Sequence, residues 1–343
     1  MAAAPDVKMR NVFLGLDDDD AKRIEALRER GEFFWLDLDL DSPGAERLGE
    51  LLPIPDYAMD LLRGFGSADS IFSQTYADED LVVFPFSCIG DPAAPPLGPD
   101  GMQPQEVHVL VTGDCLATIH HGPCEPLREL AGEEHRVTRS EQHLVYTVLA
   151  QMVASVFQVL ARLSAEAEGT IGDLGKAHTG RRHLAFIREG QTRLNHLRGT
   201  FGPQSAVFER VADEIPYVKG LAGDDQDHFS ALRRQLDHAV SAIDAASNAL
   251  SGMLDLGLNR MTFLFTVVAT LFLPTTFLAG FWGQNFVWLT DHIMSTASWW
   301  VFGVGLMTAA FLVCLWAIRR QLGPREAPND SPISELRTGE LGD

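Results

Sequence analysis

Seven positions taken at alternating steps of four and three, Thr262, Thr266, Ala269, Leu273, Thr276, Gly280 and Gly283, place hydroxyls, small side chains and bare backbone on one face of a helix. Between them stand Phe263, Phe265, Phe272, Phe277 and Phe281. Hydrocarbon gives no reward for exposed hydroxyls, so the small face is expected to meet other helices or water, and the phenylalanines lipid or a neighbouring span. Two readings stay open: close packing between helices, and the wall of a pore. A chain with two spans cannot enclose a channel alone, so a pore requires several copies around an axis. The same register runs back through Asn259, Asp255, Gly252, Asn248, Ala245, Ser241 and His238. A straight helix drifts about 20° per heptad from a 3.5-residue repeat, so the extension is firmest near Asp255. Asp255, with Asn248 and Asn259 beside it at the cytosolic pore entrance, is either one carboxylate of a ring that attracts cations or a solvated stalk charge.

These residues need a membrane-crossing helix, and the charge distribution provides one. From residue 261 to 318 the only Asp, Glu, Lys or Arg is Asp291. Residues 261–282 and 298–318 are each long enough, at about 1.5 Å per residue, to cross a hydrocarbon layer of about 30 Å. The reading is a first transmembrane helix over 261–283, an extracytoplasmic loop over 284–297 and a second helix over 298–318. Arg260 precedes the first span, Arg319, Arg320 and Arg325 follow the second, and the loop holds no Lys or Arg. That asymmetry puts both termini on the cytoplasmic side of the plasma membrane. The N-terminal stretch breaks into acids at Asp17 before an apolar run can form, so no secretory signal is expected. Residues 225–257 contain no proline, and Phe229, Leu232, Leu236, Val240, Ile243, Leu250 and Leu254 recur at helical spacing. This helix is expected to enter the membrane as a stalk, with Gly252 and Gly257 as its weak points.

Further upstream, residues 1–135 read as a cytosolic α/β domain. Residues 33–38, 70–76 and 81–89 are strand-like, and 43–52 and 56–65 show helical spacing, with Ser42 as cap and Pro43 in the first turn. Residues 90–104 are a proline and glycine loop, and 107–112 and 115–120 flank Gly113-Asp114 as a hairpin. Residues 136–260 are helical in pattern, with breaks expected near 169–175, 199–203 and 220–223. Residues 319–343 form a basic end and a polar, proline-bearing tail expected to be disordered. The fold class is thus an α+β membrane protein: an α/β domain, a helical region with a stalk, and two C-terminal spans.

Composition excludes several functions. With 27 Lys and Arg against 47 Asp and Glu, the net charge of −20 leaves no basic footprint for nucleic acid. Cys88, Cys115, Cys124 and Cys314 form no CxxC pair, which argues against a disulfide framework or standard zinc module and for small buried hydrophobes. His120, His121 and Cys124 lack a fourth ligand at suitable spacing, and adjacent histidines on a strand face opposite ways, so a hairpin end is expected there. No Walker loop, GxSxG, HExxH or dinucleotide fingerprint is found, so no enzyme is expected.

Residues 259–286 (NRMTFLFTVVATLFLPTTFLAGFWGQNF) resemble the membrane segment of the CorA family of divalent-cation transporters, including its ZntB branch. The resemblance rests on Phe272-Leu273-Pro274, Thr276, Ala279-Gly280 and a Gly-x-Asn signature at Gly283-Gln284-Asn285, followed by a second span with Arg319 and Arg320 behind it. Residues 107–120 are also similar to the family's hairpin. The resemblance implies a homopentameric funnel in which the first span lines the pore and passes Mg²⁺, Co²⁺, Ni²⁺ or Zn²⁺ as cargo and regulator, with no tightly bound cofactor. Asn285 then lies at the outer mouth, where five amides accept hydrogen bonds from a cation's water shell, the other reading being a helix cap at the lipid interface. Thr276 and Gly280 match pore positions, and Leu273 forms an apolar constriction. Asp224, Asp225 and Asp227 are the candidates for metal sensing between protomers. Gln284 departs from the family's Gly-Met-Asn, and residues 287–291 replace an acidic loop, which looks nearer to ZntB. Three readings follow: a CorA-like channel, a proton-coupled zinc importer, and a non-conducting scaffold or sensor.

Overall fold

The computed structural model describes residues 7–8, 11–52, 54–64, 75–132, 137–138, 140–172, 180–223, 227–283, 297 and 299–322. The chain divides into two compact units, Met1–Leu254 and Asp255–Asp343. In chain order the elements are β1 (Val7–Lys8), β2 (Val12–Leu14), α1 (Asp18–Glu29), β3 (Phe34–Asp39), α2 (Leu48–Leu51), α3 (Asp56–Arg63), β4 (Tyr76–Ala77) and β5 (Leu81–Ile89). They continue with β6 (Pro104–Thr112), β7 (Cys115–His120), α4 (Glu125–Ala131), β8 (Val137–Thr138), α5 (Glu141–Gly172), α6 (Gly180–Ala212) and α7 (His228–Trp282). The π-helical Trp299–Gly305 leads into α8 (Leu306–Leu322).

A six-stranded sheet in the order β2-β3-β7-β6-β5-β4 organises the first unit, parallel through β2, β3 and β7 and antiparallel from β7 to β4. All nine residues of β5 are buried. Such an unbroken apolar strand, rather than an alternating one, follows when both faces of a sheet are covered. One face, through Phe34, Leu36 and Leu38, packs on Ile24, Leu51, Met59 and Leu62 of α1, α2 and α3. The other, through Trp35, Phe84 and Phe86, packs on Leu149, Met152, Phe201, Phe208, Leu232 and Leu236 of α5, α6 and α7. Segments on either side of residue 135 therefore share one core.

The hairpin from β6 to β7 turns at Gly113-Asp114. A Cβ on Gly113 would lie 2.1 Å from the Lys219 carbonyl oxygen, so the loop before α7 closes on this turn only because no side chain is there. Arg193 of α6 donates from one Nη1 to the carbonyls of Pro96, Gly98 and Gly101, fixing the proline and glycine loop.

Several expectations are corrected. Ser42 caps no helix: its hydroxyl donates to the Asp39 carbonyl at 2.6 Å. Gly44, at φ 99°, starts a 3-10 turn (Ala45–Arg47) before the four-residue α2, so residues 43–52 hold less helix than their spacing suggests. The break expected at 199–203 is absent, because α6 passes through Pro203. Packing overrides propensity there: Phe201 and Phe208 are fully buried, and the Gln204 amide accepts from the Ser87 N–H at 2.6 Å and donates to the Ser87 carbonyl. The helix expected over 56–65 ends at Arg63. The strand expected over 70–76 lies mostly outside the described residues, with Tyr76–Ala77 as its observed end. Gly252 and Gly257 interrupt nothing in α7, which begins at His228 rather than residue 225. Within the expected second membrane helix over 298–318, seven π-helical residues (Trp299–Gly305) precede the seventeen of α8, which runs on to Leu322. Residues 323–343 lie outside the described residues.

Candidate functional site

Among the described residues no group of three or more His, Cys, Asp or Glu is arranged to hold a metal ion. The oxygen-bearing stripe of α7 is the remaining candidate. Thr262, Thr266, Ala269, Leu273, Thr276 and Gly280 all fall within this one helix. At 3.6 residues per turn they lie within about 80° of its circumference over a rise of about 27 Å. Val267, Leu271, Pro274, Thr275 and Leu278 on the opposite side are half-buried, whereas all six stripe residues are exposed, Leu273 at 74 %. Phe265, Phe272 and Phe277 flank the stripe and are exposed as well. The chain's own packing thus leaves the small, hydroxylated face open.

The hydroxyls have a defined polarity. Thr262 Oγ1 donates to the Leu258 carbonyl at 3.1 Å and Thr266 Oγ1 to the Thr262 carbonyl at 2.9 Å. Each proton is spent inside the helix, so each oxygen presents lone pairs outward. Thr270 and Thr275 bond the carbonyls of Thr266 and Leu271 in the same way. Pro274 has no N–H, so the Thr270 carbonyl beside the stripe loses its helical donor. Spacing of small residues does not point to Thr270; Pro274, four residues downstream, is the sequence signal for it. Where the hydroxyl proton is committed in this way, at Thr262 and Thr266, the outward acceptors suit the outward-pointing hydrogens of a hydrated cation.

At its far end α7 stops at Trp282, with the Gly283 N–H donating to the Ala279 carbonyl at 2.9 Å. A Cβ on Gly283 would sit 3.2 Å from that carbonyl oxygen, a tight fit that favours glycine. Gln284 and Asn285 lie outside the described residues. Asn248, Asp255 and Asn259 are exposed on α7. Asp227 caps α7: its carboxylate accepts the Ser230 N–H at 3.0 Å, and the Ser230 hydroxyl and N–H hold it below the usual carboxylate range. Asp224 and Asp225 lie outside the described residues. On α8, Arg319 and Arg320 are exposed, and the Arg320 guanidinium lies 5.3 Å over the Trp316 ring, a pairing suited to a membrane interface.

Among the described residues two helices are long and apolar enough to cross a membrane, over Glu141–Gly169 and His228–Phe281. The apolar window of the first is 61 % buried and that of the second 0 %. The first is therefore a core helix of the soluble unit, and the second has its apolar surface uncovered.

Residues 30–320 match the family described as CorA-like Mg²⁺ transporter protein. The chain belongs to the CorA-like family. It is 22 % identical over 208 residues to the cobalt/magnesium transport protein CorA of Thermotoga maritima, a match covering 55 % of this chain and 57 % of that protein. It is 31 % identical over 113 residues to the zinc transport protein ZntB of Pectobacterium carotovorum, covering 31 % of this chain and 33 % of that one. The aligned region thus spans a little over half of the first relative and a third of the second. The complete structure of the CorA magnesium transporter from Methanocaldococcus jannaschii superposes with a TM-score of 0.52 at 16 % identity, covering 84 % of this chain and 90 % of that one. That likeness establishes the CorA fold for this chain.

Proposed function

We propose that this CorA-like chain carries divalent metal cations across the plasma membrane, with several copies, five in the family's arrangement, lining a pore with α7. The observation that carries the reading is the exposed stripe of Thr262, Thr266, Ala269, Leu273, Thr276 and Gly280 opposite the half-buried face of the same helix. A helix that turns hydroxyl acceptors away from its own chain, between flanking phenylalanines, is satisfied when copies enclose water and the phenylalanines meet lipid or neighbours. Magnesium sheds water reluctantly and demands octahedral oxygen ligands, so a wall of neutral acceptors that holds the hydrated ion fits it without a fixed ligand set. Leu273 is the apolar constriction, Asp255 the carboxylate at the cytosolic entrance, and Gly283-Gln284-Asn285 the outer filter. Asp224, Asp225 and Asp227 stay candidates for regulation by the cargo, although the capping role of Asp227 competes with metal binding.

A second reading, proton-coupled Zn²⁺ import, draws on the 31 % identity to ZntB and on Gln284 in place of methionine. No His or Cys lies on the stripe from Thr262 to Gly280, so zinc too would pass as a hydrated ion.

Single cysteines along α7, introduced in a Cys314→Ser background and reacted with a membrane-impermeant thiol reagent in liposomes, test the pore wall. Thr262→Cys, Thr266→Cys and Thr276→Cys should react and lose cation uptake, and Phe272→Cys should do neither. Equal reactivity at all four positions, with uptake intact, would assign the stripe to packing.

A further inference from the structure

A thiol pair in the first unit has no part in the membrane reading. Cys88, on β5, and Cys124, immediately before α4, have their sulfurs 3.4 Å apart, with one S–H donating to the other. The two segments are already tied, because the Glu125 N–H donates to the Gly90 carbonyl at 3.0 Å. A disulfide has its sulfurs about 2.05 Å apart, so closing the pair asks the sulfurs to approach by a little over an ångström.

The surroundings distinguish the two sulfurs. His120 places Nδ1 at 2.7 Å from the Gly122 carbonyl and Nε2 at 3.2 Å from Asp37 Oδ1. An acceptor at each nitrogen favours the imidazolium, and Thr118, which donates to the same Asp37 oxygen at 2.6 Å, fixes the carboxylate. The Cys88 S–H and the nearby His120 charge lower the Cys124 thiol, while the Cys124 sulfur and burial raise Cys88. Both sulfurs are buried, Cys88 fully and Cys124 at 2 % exposure, but Cys124 adjoins a surface turn where His121 and Pro123 are exposed. Cys115 lies in the core on the other face of the sheet, and burial pushes its thiol up.

We infer that Cys88 and Cys124 form a reversible thiol–disulfide pair oxidised by small hydroperoxides, with Cys124 as the attacking thiolate and Cys88 as the resolving thiol. The Cys124 sulfur attacks the terminal peroxide oxygen; the S–O bond forms, the O–O bond breaks, and the leaving alkoxide departs as alcohol, or as water from hydrogen peroxide, after taking a proton. The Cys88 sulfur then loses its proton and attacks the Cys124 sulfenic acid. The S–S bond forms, the S–O bond breaks, and hydroxide leaves with that proton as water. Two thiols are oxidised as one peroxide is reduced. The product staples the end of β5 to the turn that starts α4, and a thiol reductant restores the pair.

Hydrogen peroxide added to the detergent-solubilised full-length protein, followed by acid quench, alkylation and peptide mapping, tests this. Two of the four thiols should disappear into a Cys88–Cys124 peptide and return with dithiothreitol, while Cys115 and Cys314 stay alkylatable. Cys124 should oxidise about tenfold faster than Cys115, or more. Cys88→Ser should stop at a dimedone-reactive Cys124, and Cys124→Ser should leave Cys88 a thiol; both serines are near-isosteric, and a circular-dichroism melt checks that each variant is folded. Four thiols intact after peroxide, oxidation of Cys115 or Cys314 as fast as Cys124, or dimedone on Cys88 in Cys124→Ser would each overturn the inference.

Discussion

The two ends of α7 are built from similar residues and treated oppositely by the chain. Near its start Phe229, Leu232, Leu236, Ala239 and Ile243 are at most 3 % exposed, sealed against the sheet and α5 and α6. Further on Phe265, Phe277 and Leu273 are at least 70 % exposed. Buried apolar area contributes about 25 cal/mol per Å², so the first stretch stabilises the fold from within. The second gains that contribution only from something the chain does not supply, namely lipid and further copies. One unit encodes its own interior; the other encodes a requirement for its surroundings.

The sharpest way to break this contrast is a charge on each half. Leu236→Asp buries an unpaired carboxylate and should unfold the first unit, since the cost approaches a whole domain margin of about 5–15 kcal/mol. Phe272→Asp should leave the denaturation curve of that unit unchanged and instead impair membrane insertion. Far-UV circular dichroism in denaturant, with carbonate extraction of membranes, reads both. Next in size is a chain ending at Leu254. It should remain soluble without detergent and unfold in one cooperative transition, whereas the full chain should aggregate once detergent is removed.

Inside the first unit, His120 gives a smaller, pH-dependent effect. Burial draws its pKa down, but the hydrogen bond and charge of Asp37 draw it up further, so the folded value lies above the ordinary one. Protonation therefore favours the fold. The stabilisation is complete below about pH 6.5 and fades as pH rises through the folded value. Thermal melts should show Tm falling as pH rises above about 6.5, with a flatter profile in His120→Gln. The smallest expected effect is that of Asp255→Asn, which should slow cation entry severalfold at low ionic strength and little at high salt, where screening shortens to about 8 Å or less. An unchanged initial rate at low salt would make Asp255 a plain surface charge.

Legibility in the sequence followed the physics of each segment. β5 was read to the residue from its aromatic and branched run, and β7 from the Gly113-Asp114 turn that it flanks with β6. The buried face of α7 was equally plain, since five of its seven expected apolar positions are fully buried and Val240 and Leu254 pack at the rim. α1 escaped notice because its acidic first turn dominates the composition and only Ile24 and Leu27 are buried; Asp17, accepting from the N–H groups of Asp19 and Asp20, was the cap signal. β2 is three residues long and parallel, too short to show a period. Pro203 reads as a helix breaker until Gln204 and Phe208 are seen gripping β5 and the core. On the stripe, spacing gave the face but could not tell that the chain leaves it uncovered, which depends on where the half-buried side of α7 lies.

The central claim, that the uncovered stripe encloses a cation path, is tested most directly by flux. Purified protein in liposomes, offered Mg²⁺, Zn²⁺, Co²⁺ and Ni²⁺ with and without an inward proton gradient, should take up at least one of these ions, with uptake lost in Thr276→Cys after thiol modification. Flux indifferent to protons would place the chain with the channel reading, and Zn²⁺ flux accelerated by protons with the coupled importer. An intact oligomer that passes none of the four ions would contradict the account and leave the stripe as helix packing in a membrane-anchored scaffold.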